Sequence, residues 1–187
     1  MPMSKKLAEE NVDTGVTLAV FDLQAGKMEY TVIRDRITPK TWSLVTETDA
    51  YPRGYTPLND AIGRLVAQAK AGFNGTQYDK VAIIIMTDGE ENSSKELTVT
   101  QAKALLDECR AKGWQVIFLG ADYDNMKQAV SYGTMADATF DSIPKAAMAA
   151  TMTAAAASRS MYSSGTVASM SFSDKEKEEL RKAKSKS

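Results

Sequence analysis

Lys80-Val81-Ala82-Ile83-Ile84-Ile85-Met86-Thr87, followed at once by Asp88-Gly89-Glu90-Glu91-Asn92, decides the fold. The run up to Thr87 is apolar without alternation. A strand buried on both faces of a sheet needs that pattern, and such sheets are parallel and covered by helices. Trp114-Gln115-Val116-Ile117-Phe118-Leu119-Gly120 repeats the pattern downstream. Between the two, residues 98–112 read as a helix. Thr98 and Gln101 have capping-box spacing, Ala102, Leu105, Leu106 and Cys109 form one apolar stripe, and Gly113 closes it. Upstream, Thr56 reads as an N-cap and Pro57 as the first helical residue. Leu58, Ala61, Ile62, Leu65, Val66 and Ala69 follow at helical spacing, and Gly72 ends the helix. Buried strands alternating with amphipathic helices imply an α/β protein with a mostly parallel sheet.

Working outward, residues 15–23 (GVTLAVFDL) read as a strand and residues 28–36 (MEYTVIRDR) as an edge strand solvated on one face. The short Gln24-Ala25-Gly26-Lys27 turn makes the two antiparallel. Residues 38–55 read as irregular, and residues 3–11 as the stub of a helix. Past Gly120, a short helix is expected near 122–132, a last strand at 136–140, and an Ala/Met-rich helix from Pro144 to about 160. Met148, Met152, Met161 and Met170 read first as core packing and second as an adaptable contact surface. Residues 163–171 are a loop. Ser173 and Glu176 cap a charged final helix over 174–186, expected to be solvated. The domain is thus assigned to residues 1–162, with 163–187 as a loop and charged helix.

Composition narrows the function. The chain has 187 residues, 23 Lys+Arg and 24 Asp+Glu, for a net charge of -1. No basic excess drives phosphate-backbone binding, so nucleic acid is not the expected partner. His is absent and Cys109 is the one cysteine, which removes His-based nucleophile pairs, Cys-based zinc sites and an internal disulfide. No segment reaches the roughly 20 apolar residues of a membrane span, and Met1 to Glu10 is too polar for a signal peptide. A cytoplasmic location is expected, or a virion if the source is a phage.

The strand-end segment 88–92 carries the chemistry. Ligands of open parallel sheets collect beyond the carboxyl ends of the strands, and hard divalent cations take oxygen ligands. Asp88 and Thr56 are the candidate metal-binding residues, and Tyr55, Glu90, Glu91 and Asn92 the candidate partner-binding residues. Each has a plainer reading. Thr56 suits a helix cap, Asp88 an Asp-Gly turn, and Glu90 and Glu91 a solvated loop.

Gly54-Tyr55-Thr56-Pro57-Leu58-Asn59-Asp60-Ala61-Ile62, followed by Ile83-Ile84-Ile85-Met86-Thr87-Asp88-Gly89-Glu90-Glu91-Asn92, resembles the von Willebrand factor A (VWA) domain family. The family pattern is a G-x-T-P-L-x-D-A-I helix start, then a hydrophobic strand ending in T-D-G-E. Val20-Phe21-Asp22 resembles the family's second strand, and Trp114 to Gly120 with Ala121-Asp122 its next one. The likeness covers about residues 4–162 and is nearest to the stand-alone VWA proteins of bacteria and bacteriophages. It implies a Rossmann-like three-layer sandwich, with a mostly parallel central sheet and one antiparallel edge strand. It also implies a metal-ion-dependent adhesion site for one Mg2+ or Mn2+, in which Thr56 is the second-loop Thr and Asp88 the third-loop Asp. A partner protein's carboxylate would fill the open coordination position. AAA+ ATPases and larger assemblies are the partners the family suggests.

The pattern departs from the family at its start. No D-x-S-x-S and no hydrophobic strand occurs before residue 15, so the domain is expected to be N-terminally truncated. The family's first strand lies in the middle of the sheet. Without it, the neighbouring strands must pair directly, accept a strand from another chain or oligomer, or belong to a longer product. Three of five metal ligands would be missing, and metal binding is expected to be weak or absent. The expected function is a non-enzymatic protein-interaction module. A structural or assembly protein that keeps the scaffold without metal is the alternative. A metal-dependent hydrolase using Asp88 with Glu90 or Glu91 is a minor one, since no nucleophile motif or phosphate loop accompanies the carboxylates.

Overall fold

The computed structural model describes residues 14–41, 43, 45–46, 48–49, 54–73, 80–121, 126–143 and 147–182. Strands β1 (Val16–Gln24) and β2 (Lys27–Ile37) form an antiparallel hairpin. Its turn residues, Ala25 at φ 49° and Gly26 at φ 75°, both take the left-handed region. A two-residue turn of that hand matches the twist of the flanking strands. Helix α1 (Leu58–Gly72) follows, then β3 (Ala82–Thr87), α2 (Val99–Ala111), β4 (Gln115–Ala121), α3 (Met126–Ser131), β5 (Thr139–Ile143), α4 (Met148–Ser163) and α5 (Asp174–Lys182). The expected helix stub at 3–11 and Pro144 lie outside the described residues.

The protein is mixed α/β. β3, β4 and β5 form a parallel sheet with β4 in the middle, and the β1–β2 hairpin is a sheet of its own. The single sheet expected from the sequence is therefore divided among the described residues. Side chains alternate across the parallel sheet. Ile83, Ile85, Val116 and Phe118 pack with Leu58, Ile62 and Val66 of α1 and with Ala102, Leu106 and Cys109 of α2. Ile117 and Leu119 pack on the opposite face with Ala155 and Tyr162 of α4. Cys109 is fully buried in this core, and that burial raises its thiol pKa above the ordinary value.

Two anchors orient the hairpin. At one end, Leu23 of β1 bridges Tyr55, just before α1. At the other, the Arg36 side chain lies against Gly72, the last residue of α1. β1 thus runs opposite to α1. The sheet does likewise, because Phe73, just past α1, packs edge-on against Trp114, just before β4, their ring centroids 5.4 Å apart. β1 and β3 therefore run in the same direction. Tyr30 of β2 donates to Gln68 of α1 at 2.9 Å, and burial pushes the Tyr30 pKa up to about 12.

Three expectations shift. The last strand begins at Thr139, because a 3-10 turn takes Ala136–Ala138. The segment after residue 163 joins the core: Met170 and Phe172 are buried with Ile117 and Leu119. Helix α5 is solvated on one side only. Lys177 is buried and donates to the Ala136 carbonyl. Of the methionines, Met152 and Met170 pack into the second core while Met161 is exposed.

Candidate functional site

The start of α1 differs from the sequence reading in an instructive way. The helix begins at Leu58 with Pro57 at the cap position, and no side chain of the cap bonds it. Thr56 is not the N-cap. Its backbone is held instead by Asn92: the Thr56 N–H donates to Asn92 Oδ1 at 2.9 Å, and the Asn92 N–H donates to the Thr56 carbonyl at 3.2 Å. The first N–H groups of a helix have no intrahelical acceptor. Here the loop after β3 supplies acceptors from a distance. Asn59 N–H donates to Glu91 Oε2 at 2.7 Å, and Asp60 N–H to Ser94 Oγ at 3.2 Å.

Glu91 is the centre of that loop. Its Oε1 accepts from the N–H groups of Ser93 and Ser94, both at 2.8 Å, and its Oε2 also accepts from the Ser94 hydroxyl at 2.6 Å. A carboxylate at a helix N-terminus is also favoured by the helix dipole. The Glu91 N–H donates to Gln128 of α3 at 2.7 Å. Asp60, only 3% exposed, returns the contact from the helix. Its carboxylate accepts from the N–H groups of Lys95, Glu96 and Leu97 at 2.8, 3.0 and 2.8 Å. Asn59 is buried as well, and Tyr132 donates its hydroxyl to Asn59 Oδ1 at 2.7 Å. These contacts lock the loop 89–97 onto α1.

The locked loop presents a short face. Thr56 Oγ1 lies so close to Gly89 that a Cβ there would sit 2.9 Å from it. Thr56 and the Asp88-Gly89 corner are therefore neighbours. Asp88 and Glu90 are exposed, and among the described residues neither carboxylate has a hydrogen-bond or ion-pair partner. Tyr55 is 61% exposed and Met86 is 48% exposed. Thr87 closes the corner, its hydroxyl donating to the Gly89 carbonyl at 2.9 Å. Of the candidate residues, then, Tyr55, Thr56, Asp88 and Glu90 form the outward face. Glu91 and the Asn92 side chain are spent on holding it.

The donor set decides how far a metal fits. Thr56 and Asp88 offer two hard oxygens, and Mg2+ wants near-octahedral oxygen ligation. Among the described residues no group of three or more acidic or cysteine side chains converges on a point. Among the described residues, no helix is long and apolar enough to cross a membrane. No protein-family model, curated protein or solved structure matches the chain.

Asp60, Asn59 and Gln128 were not singled out from the sequence, whereas Ser94 was read only as one of the oxygen donors that follow Asp88. Asp60 in the first turn of a helix reads as an ordinary dipole-favoured acid, and nothing local points it at residues 95–97. The one signal was the density of loop formers in Asp88-Gly89-Glu90-Glu91-Asn92-Ser93-Ser94.

Proposed function

We propose that this chain is a non-enzymatic protein-interaction module of VWA type, built as a three-layer sandwich, which docks a partner protein at the carboxyl-end face of its strands. The observation that carries the reading is the approach of Thr56 Oγ1 to Gly89, which sets the Thr56 hydroxyl beside the exposed Asp88. A rigid loop displaying unpartnered carboxylates beside an exposed tyrosine is a docking arrangement: Tyr55 offers an aromatic anchor, and Asp88 and Glu90 set the charge. The metal-ion-dependent adhesion site is degenerate. A Mg2+ or Mn2+ ion there needs ligands from the partner or from solvent. An AAA+ ATPase or a larger assembly is the kind of partner the family resemblance suggests.

One observation favours a second reading, a scaffold that works without metal in a phage or other assembly. Glu91 is fully engaged by backbone and hydroxyl donors, so it is not free to enlarge the ligand set. Without metal the face is acidic and suits a cationic partner group. With metal it suits a carboxylate.

Cross-linking in cells separates docking from mere scaffolding. A partner captured by the wild-type chain should be lost in Asp88→Ala and in Tyr55→Ala, and kept in Arg64→Ala on the helix side. Equal capture by all four chains would overturn the reading. Dependence of capture on Mn2+ distinguishes the metal-bridged form from the metal-free one.

A further inference from the structure

Thr87 ends β3 with a buried hydroxyl, and that hydroxyl makes two hydrogen bonds, both to Gly89. It donates to the Gly89 carbonyl at 2.9 Å and accepts from the Gly89 N–H at 3.2 Å. The peptide units before and after Gly89 are thus tied to one side chain. Asp88 stands between Thr87 and Gly89. It is exposed, and among the described residues its carboxylate has no hydrogen-bond or ion-pair partner.

Asp-Gly occurs once in the chain, and the pair has a chemistry of its own. Glycine has no Cβ to keep the backbone from folding back on the preceding side chain. In a free peptide the glycine nitrogen attacks the aspartate Cγ. An N–C bond forms, and one carboxyl oxygen leaves as water with the nitrogen's proton and one proton from solvent. Water then reopens the five-membered imide and the solvent proton returns. Cleavage at the side-chain carbonyl restores aspartate. Cleavage at the main-chain carbonyl gives isoaspartate, whose backbone runs through Cβ and Cγ. The sum is an isomerisation that needs no reagent but water. Attack requires the reacting atoms to be about 3–3.5 Å apart and aligned, and small misplacements cost large factors in rate. Here the carboxylate is unrestrained, while the attacking nitrogen is held on Thr87.

We propose that Asp88-Gly89 is a latent self-modification site, and that Thr87 is the positioning residue that keeps it closed. Breaking the two Thr87–Gly89 bonds frees the Gly89 nitrogen to reach Asp88 Cγ. The product carries its free carboxylate directly on the Cα of residue 88. The reaction needs no metal and no partner, so it stands apart from the docking reading, although it would alter the docking face. Asn92-Ser93 in the same loop is an internal reporter. It can form the same imide with loss of ammonia, but other groups hold its atoms. Asn92 Oδ1 accepts from the Thr56 N–H at 2.9 Å, and the Ser93 N–H donates to Glu91 Oε1 at 2.8 Å. Loosening of the whole loop speeds both reactions. Loss of the Thr87 bonds speeds only the one at Asp88.

Ageing the 187-residue chain at neutral pH in heavy-oxygen water tests it, since each reopened imide takes up the label. Peptide mapping by mass spectrometry reads isoaspartate at 88 and deamidation at 92. Wild type, Thr87→Ser and Thr87→Val are compared, each also unfolded in urea, with circular dichroism to confirm the fold. Thr87→Ala replaces the valine variant if that chain does not fold. Folded wild type should isomerise at Asp88 about tenfold or more slowly than the unfolded chain. Thr87→Ser keeps the hydroxyl and should match wild type. Thr87→Val should react about tenfold faster than wild type while folded, with deamidation at Asn92 unchanged. Any of four results overturns the proposal: equal rates at Asp88 in the folded and unfolded wild type, a valine variant as slow as wild type, a serine variant as fast as the valine one, or deamidation at Asn92 that rises in step with isomerisation at Asp88.

Discussion

Thr56 and Asn92 clasp each other through two reciprocal hydrogen bonds, Thr56 N–H to Asn92 Oδ1 at 2.9 Å and Asn92 N–H to the Thr56 carbonyl at 3.2 Å. The clasp fixes the residue before α1 to the loop after β3. Asn92→Ala removes one acceptor and leaves the Thr56 N–H without it. The expected cost is about 1 kcal/mol, measured by urea unfolding, with faster amide exchange at Thr56.

Glu91 and Glu90 are neighbours with opposite fates. Glu91 accepts four hydrogen bonds from the loop and from α1. Glu90 is exposed. Glu91→Ala should lower stability by about 2–4 kcal/mol, because hydrogen bonds to a charged acceptor are the stronger kind. Glu90→Ala should stay within about 0.5 kcal/mol. Equal effects in urea unfolding would show that the loop is not held by Glu91.

Ala25 sits at φ 49° in the hairpin turn. An L-residue with a Cβ pays about 1 kcal/mol or more there, and Asn tolerates the region better. Ala25→Asn creates an Asn-Gly pair, the favoured sequence for this turn. It should raise stability by about 0.5–1 kcal/mol, seen as a higher urea midpoint with an unchanged slope.

Much of this was legible before any coordinates. The Lys80–Thr87 run, the Thr98/Gln101 capping box and the Gln24–Lys27 turn each carry a local signal, and each formed as read, within a residue or two. The capping box is complete, with both reciprocal bonds. Thr56 was misread because capping is a local rule, and the local rule lost. The N–H groups of Asn59 and Asp60 found acceptors more than thirty residues away in sequence, and no short-range pattern encodes that. Lys177 misled for a related reason. A charged helix reads as solvated, but a lysine can bury its stem and still place its ammonium on a carbonyl.

Acid should loosen the α1–α2 contact. Lys70 of α1 donates to Glu108 of α2 at 2.6 Å, and this bond, with Lys112 beyond it, holds the Glu108 carboxyl below its ordinary value of 4.5. Lys103, and then Arg110, likewise hold Asp107 below 3.8. A depressed carboxyl contributes stability that is complete above its unfolded pKa and disappears as pH falls through the folded one. The Tm difference between wild type and Glu108→Gln should therefore be constant near neutral pH and close as pH drops below about 4.5. A gap that widens in acid would reverse the assignment. Added salt should narrow it at neutral pH, because the pair is largely exposed.

The most direct test of the docking face is a calorimetric titration of the chain with Mg2+ and with Mn2+, with Asp88→Ala as control. Thr56 and Asp88 alone supply two of the ligands a divalent ion needs. The expected result is a Kd weaker than about millimolar for the isolated chain, the same in the variant. Binding of one ion per chain at millimolar affinity or tighter, abolished in Asp88→Ala, would contradict it and mean that the site is complete without a partner.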